Sequence, residues 1–167
     1  MSSTPPVQQI PVTPAQWPDL AGRLVGGSGT GSHHVLPVRV YFEDTDAGGV
    51  AYHASYVRWC ERGRTDFLRF YGTDARRLID GSDSLAPAAF VVRRMSFDFV
   101  RPARMDDVLE IVTRVVSLGG ASATLNQIVQ REGIRLCEAE VVVVLVSVSG
   151  KPLRLTDAVR SGLGGSA

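Results

Sequence analysis

Val38, Val40 and Phe42 alternate with Arg39 and Tyr41 from Leu36 onward, which is the period of a half-buried strand. From about Ala54 to Tyr71 the period becomes helical. Tyr56, Trp59, Cys60, Phe67, Leu68 and Tyr71 fall on one face, with the small Gly63 between the bulky groups. Arg58, Arg62, Asp66 and Arg69 take the other side, where Arg62 and Asp66 have the spacing of an i,i+4 pair. Ser55 is the expected N-cap and Gly72 the expected stop. Gly63 lowers helix propensity, so its place predicts a close approach to a sheet. A short helix is expected near Asp74–Ile79, and strand alternation then returns over Phe90–Val100. Val108–Leu118 and Ser122–Arg131 read as a hairpin turned by Gly119-Gly120. Leu136–Val148 is the longest strand, and its unbroken apolar run Val141–Val146 predicts burial on both faces. One strand, one long helix and four strands predict an α+β domain in which an antiparallel sheet wraps a single helix.

The ends of the chain lack such periods. Residues 1–34 carry Pro5-Pro6, Pro11, Pro14 and Pro18 and the stretch Gly26-Gly27-Ser28-Gly29, so a flexible N-terminal segment is expected. Within it Ile10 and Trp17 are candidates to dock, and the adjacent His33 and His34 are expected in solvent. The folded domain is expected over residues 35–160, with a flexible tail over 161–167.

Composition narrows the function classes. A chain of 167 residues with 44% hydrophobic and 21% charged residues suits one soluble globular domain. Its net charge of +1 gives no electrostatic case for nucleic acid. No segment is long enough to span a bilayer, and no basic segment followed by an apolar stretch marks a secretory signal. Cys60 and Cys137 lie far apart without metal-ligand spacing, which suits a reduced cytoplasmic protein; Cys60 reads as a small buried hydrophobe.

The chemistry concentrates in Tyr41–Trp59, YFEDTDAGGVAYHASYVRW, with two acids, a glycine pair and a histidine just before the long helix. The unpaired N–H groups of a helix N-terminus can hold a carbonyl oxygen as it gains negative charge, and a nearby carboxylate can attack or hydrate that carbonyl. The turn therefore points to acyl transfer or hydrolysis. Asp44-Thr45-Asp46 also opens like a calcium loop, but Gly48 and Ser55 stand where an oxygen ligand and a bidentate Glu are required. The paired aspartates of haloacid-dehalogenase enzymes need a parallel α/β sheet, which the order of elements excludes.

Val38-Arg39-Val40-Tyr41, Glu43–Val50, Tyr52–Val57, Glu61-Arg62 and Arg64-Thr65 together resemble the hotdog-fold acyl-CoA thioesterases. Phe90–Arg93, Pro102-Ala103-Arg104 and Asp106-Asp107 agree. The resemblance is closest to the branch associated with the bacterial Tol-Pal system, is more distant to the 4-hydroxybenzoyl-CoA thioesterases, and covers Pro37–Val148. It implies a hotdog fold, dimers through the sheets that often pair into tetramers, and active sites at the dimer interface. It puts the catalytic carboxylate on Asp46, leaves Asp44 to bond turn amides or to help set the local charge, and gives the backbone N–H near His53 the task of polarising the carbonyl. The imidazole of His53 is a second catalytic candidate, against a packing or capping role. Gly48 and Gly49 would let the turn approach the acyl group, and Tyr52, Glu61, Arg93 and Arg104 complete the substrate-binding candidates. Arg93, Arg94, Arg101 and Arg104 surround one strand and its exit, where coenzyme A phosphates would need cations. The turn Gly119-Gly120-Ala121 lacks the basic residues that the benzoyl-CoA relatives share there.

The implied function is hydrolysis of a short- to medium-chain or aromatic acyl-CoA in the cytoplasm, without metal or organic cofactor. Acyl carrier protein is a further candidate partner, and peripheral association with the inner membrane is compatible. A non-catalytic acyl-CoA or acyl-carrier-protein binding module is the alternative. A hotdog dehydratase would want a different histidine motif.

Overall fold

The computed structural model describes residues 22–26, 33–70, 75–81 and 87–163. Its strands are β1 (Arg23–Val25), β2 (His33–Arg39), β3 (Ala88–Phe99), β4 (Val108–Leu118), β5 (Ser122–Arg131) and β6 (Ile134–Ser147). Its helices are α1 (His53–Phe70), α2 (Ala75–Asp80) and α3 (Asp157–Gly162). The strands form one antiparallel sheet in the order β1-β2-β4-β5-β6-β3, curved around α1. The expected α+β architecture is therefore present. Within the β5–β6 connection Glu132 and Gly133 both have positive φ, 51° and 75°, the pairing a tight two-residue hairpin demands.

Helix α1 buries Tyr56, Trp59, Cys60 and Phe67 against the sheet. Leu109, Ile111, Val129, Leu136 and Cys137 meet it there, each wholly buried. A Cβ on Gly63 would stand 2.8 Å from Ile111 Cγ2 and 3.2 Å from Thr113 Oγ1, which accounts for a glycine in mid-helix. Gly63→Ala gains helix propensity of about 1 kcal/mol but overpacks a site whose neighbours are themselves buried, at about 1–3 kcal/mol. We expect a net loss of about 1 kcal/mol in urea unfolding; a stabilised variant would show that the contact relaxes freely.

Several local expectations are corrected. The helix begins at His53, so Ser55 lies inside the first turn, where its buried hydroxyl donates to Asp44 O at 3.1 Å. Gly72 and Tyr71 fall outside the described residues. Val142, Val144 and Val146 are half-buried rather than buried, because α1 covers only the opposite face of β6. His34 is not in solvent: strand pairing Val25↔His33 and Arg23↔Val35 folds it inward, and it is wholly buried. Its Nε2 lies 2.8 Å from Asp66 Oδ2, which also accepts the Gly22 N–H at 2.6 Å. Asp66 is thus an inward residue, not the surface partner of Arg62. At the far end the packing continues past the expected boundary at 160: Leu155, Val159 and Leu163 are buried. Arg160 Nη2 donates to Gly119 O at 2.6 Å, bringing an arginine to the glycine hairpin.

Candidate active site

The two acids of the turn have separate tasks. Asp44 is buried, and its Oδ2 accepts the Tyr41 N–H at 3.0 Å. Its carbonyl accepts the Tyr52 N–H at 2.7 Å as well as the Ser55 hydroxyl. Asp44 therefore ties the turn to the first residues of α1. Asp46 is exposed, and its carboxylate accepts only the Gly48 N–H, at 2.8 Å on Oδ1, leaving Oδ2 without a partner among the described residues. The turn closes through Asp46 N–H to Val50 O at 2.9 Å and Gly49 N–H to Asp46 O at 3.0 Å. Gly49 adopts φ +73°, a conformation an L side chain strains to reach.

The N–H of His53 has no carbonyl to meet inside the helix and no acceptor among the described residues. It stands at the positive end of an 18-residue helix. The His53 ring is exposed, lies 4.2 Å from the Tyr52 ring centroid, and meets Phe99 edge-on at 6.5 Å. Asp46 and His53 open onto one recess of about 300 Å³, walled by Ala51, Tyr56, Phe99, Val100, Arg101 and Pro102.

Tyr56 builds the far wall. It lies one turn after His53 on the same helix face, and its hydroxyl accepts the Ala103 N–H at 2.8 Å. That bond holds the Pro102-Ala103 segment against α1. Burial pushes the Tyr56 phenol above its usual pKa, so it stays neutral. Tyr56 read from the sequence only as a core residue; its i+3 spacing from His53 was the available signal. Phe99, Val100 and Pro102 had no such signal, since only β3 pairing with β6 brings them to the helix end.

The remaining candidates are placed unequally. Gly48 and Gly49 belong to the turn that holds Asp46, and Tyr52 packs on the His53 ring without lining the recess. Glu61 does not border the recess; its Oε1 accepts the Thr65 hydroxyl at 2.7 Å and it lines a separate cavity farther along α1. Arg93 is exposed at the β3 irregularity between Val92 and Arg94, and Arg104 is exposed beyond Pro102. Arg94 pairs with Glu140 at 2.9 Å. Of the four arginines, Arg101 alone borders the recess. Cys60 and Cys137 are wholly buried, and burial pushes both thiols up to about 12, so neither is a thiolate at neutral pH.

An exposed carboxylate with one oxygen tied and one unbonded among the described residues thus shares a recess with the first residue of a long helix. The Thioesterase superfamily matches residues 48–138, more than half of the chain, and this protein belongs to that superfamily. Acyl-CoA thioester hydrolase YbgC of Escherichia coli O6:H1 is 50% identical over 111 residues, 66% of this chain and 79% of that one. Acyl-CoA thioesterase YbgC of Haemophilus influenzae is 39% identical over 113 residues, 68% of this chain and 80% of its own. The crystal structure of a probable thioesterase from Bartonella henselae superposes with a TM-score of 0.71 at 40% identity, covering 74% of this chain and 99% of that one. The fold is thus the hotdog fold of these enzymes.

Proposed function

We propose that this protein is an acyl-CoA thioesterase, hydrolysing short- to medium-chain or aromatic acyl-CoA to the free acid and coenzyme A. One observation carries the reading: Asp46, whose Oδ2 is unbonded among the described residues, and His53, whose N–H has no acceptor among them, line the same recess. The thioester carbonyl oxygen accepts the His53 N–H, which stabilises the developing oxyanion by about 3–4 kcal/mol. Asp46 then acts in one of two ways. As nucleophile it bonds to the carbonyl carbon, expels the coenzyme A thiolate and leaves a mixed anhydride for water to open. As general base it takes a proton from water as the water oxygen bonds to the carbonyl carbon, and the tetrahedral intermediate then expels the coenzyme A thiolate, which takes up that proton. In this reading the His53 imidazole contacts the thioester or the attacking water, and Arg101, which also lines the recess, meets a phosphate. The names of the YbgC relatives support acyl-CoA as the substrate class.

The reading includes self-association. β3 is a 12-residue edge strand, and Val91, Val92, Met95 and Phe99 on it are exposed in the single chain. A long apolar edge with unpaired backbone groups is a template for pairing with a second copy. Phe99 also walls the recess, so such a pairing would place the site at the interface. Sedimentation velocity is expected to show a dimer or tetramer, and a monomer at assay concentration would remove this part of the account. No described helix is long and apolar enough to cross a membrane. The reading assigns a cytoplasmic enzyme, with acyl carrier protein as a second carrier of thioesters.

Coenzyme A release from a panel of acyl-CoA thioesters and acyl carrier protein thioesters tests the proposal. Turnover on the panel supports it. Tight acyl-CoA binding without turnover would replace it with the non-catalytic binding module.

A further inference from the structure

Asp46 and His53 belong to different elements, so the separation of carboxylate and helix N–H depends on what joins the turn to α1. One joint is local: Asp44 O accepts the Tyr52 N–H at 2.7 Å and the Ser55 hydroxyl at 3.1 Å. A second joint comes from the segment that follows β3. Ala103 O accepts the Ala51 N–H at 2.8 Å, and Ala51 closes the Asp46 turn through its bridge with Thr45. The N–H of the same Ala103 donates to the Tyr56 hydroxyl oxygen at 2.8 Å. One wholly buried residue therefore holds the turn with its carbonyl and the start of α1 with its amide.

This brace has no substitute on the helix side. The Ala103 N–H has no other acceptor among the described residues, and a buried donor left unpaired forces its surroundings to rearrange. The rim of the recess is held independently. Val100 and Arg101 both donate their N–H to Leu136 O, at 2.8 and 3.0 Å, and Arg101 Nη1 donates to Arg135 O at 3.2 Å. Loss of the Tyr56 hydroxyl should therefore act on the turn and the helix start, and leave Arg101 in place. The Tyr56 ring meets Trp59 edge-on at 5.1 Å and Phe99 at 5.4 Å, contacts that a phenylalanine would keep.

We propose that Tyr56 is a positioning residue: through Ala103, its hydroxyl sets the separation of the Asp46 carboxylate and the His53 N–H. It acts on that geometry rather than on the reacting atoms. A misplacement of about 1 Å between reacting groups can cost roughly 10²-fold in rate, so such a brace acts on kcat and spares affinity. The kinetic consequence rests on the thioesterase reading, whereas the coupling of turn to helix does not.

The test compares Tyr56→Phe with the wild type and with Gly63→Ala, whose overpacking lies in mid-helix away from the recess. Hydrogen exchange followed by ¹H–¹⁵N NMR is the first readout. Tyr56→Phe is expected to speed exchange of the Ala51 amide at least roughly tenfold relative to the amides of β5, and Gly63→Ala to leave that ratio unchanged. In the wild type, the Ala51 and Ala103 amides are expected to open together, with protection within about threefold of each other. Kinetics on an acyl-CoA that the wild type hydrolyses is the second readout. There Tyr56→Phe is expected to lower kcat roughly 10- to 100-fold with KM within about twofold, and Gly63→Ala to change neither. A wild type without turnover removes the thioesterase reading alone, and the exchange of Ala51 then decides the brace. An unchanged Ala51 ratio in Tyr56→Phe, an equal acceleration in Gly63→Ala, independent opening of Ala51 and Ala103, or an unchanged kcat would each overturn the proposal.

Discussion

Asp46→Asn is expected to lower kcat by roughly 10²–10⁴-fold while leaving acyl-CoA affinity within about twofold. The substitution is nearly isosteric. The amide oxygen can still accept the Gly48 N–H, so the turn and its closing bonds to Val50 O and from Gly49 N–H are kept. What disappears is the negative charge and basicity of the free oxygen, which both forms of the mechanism require. Asp44→Asn gives the contrasting result. Its carboxylate is buried on the Tyr41 N–H, so its loss should appear first as lower stability and only then as lower activity. Equal turnover for wild type and Asp46→Asn, at matched oligomeric state, would take the chemistry away from Asp46.

Asp66→Ala is expected to cost about 3 kcal/mol of stability, with little effect on the recess. Asp66 Oδ2 is the acceptor for His34 Nε2 and for the Gly22 N–H, so truncation leaves a wholly buried ring and a backbone amide unpaired. The same cluster carries a pH dependence. Burial lowers the His34 pKa from 6.5, outweighing the opposing bond and charge of Asp66. Nδ1 is buried without a partner among the described residues, so a proton placed there finds no acceptor among them. The folded state then binds fewer protons than the unfolded chain between the lowered value and 6.5, and stability rises with pH across that interval. His34's contribution is complete above the unfolded value and is lost as the pH falls below it. Tm measured between about pH 7.5 and 5.5 should therefore drop more in the wild type than in His34→Gln. Parallel curves would mean that His34 is not the titrating group.

These two clusters differ in how far the sequence reveals them. The turn is local. Asp44, Asp46, the glycines and His53 lie within a few residues of a strand and a helix whose periods are clear, and the family pattern separates the roles of the two acids. The wall of the recess is not local: Phe99, Arg101 and Pro102 reach His53 only through the β3–β6 register. His34 and Asp66 are 32 residues apart and meet because β1 pairs with β2 and carries the ring beneath α1. Polar residues at such positions read as surface residues, since a helical period records hydrophobicity and cannot show that a charge has found a buried partner. Arg64 was disguised in the same way, and its Gln127 partner lies 63 residues on. Gly63, by contrast, was legible, because a glycine that weakens a helix predicts a tight contact wherever it falls.

The central claim is positional: the thioester carbonyl sits at the start of α1 beside Asp46. A crystal structure of Asp46→Asn bound to an uncleaved acyl-CoA tests it most directly. The account predicts the carbonyl oxygen about 3 Å from the His53 N, with the residue 46 side chain facing the carbonyl carbon. A thioester bound away from the α1 N-terminus, with the His53 N–H left to solvent, would contradict it.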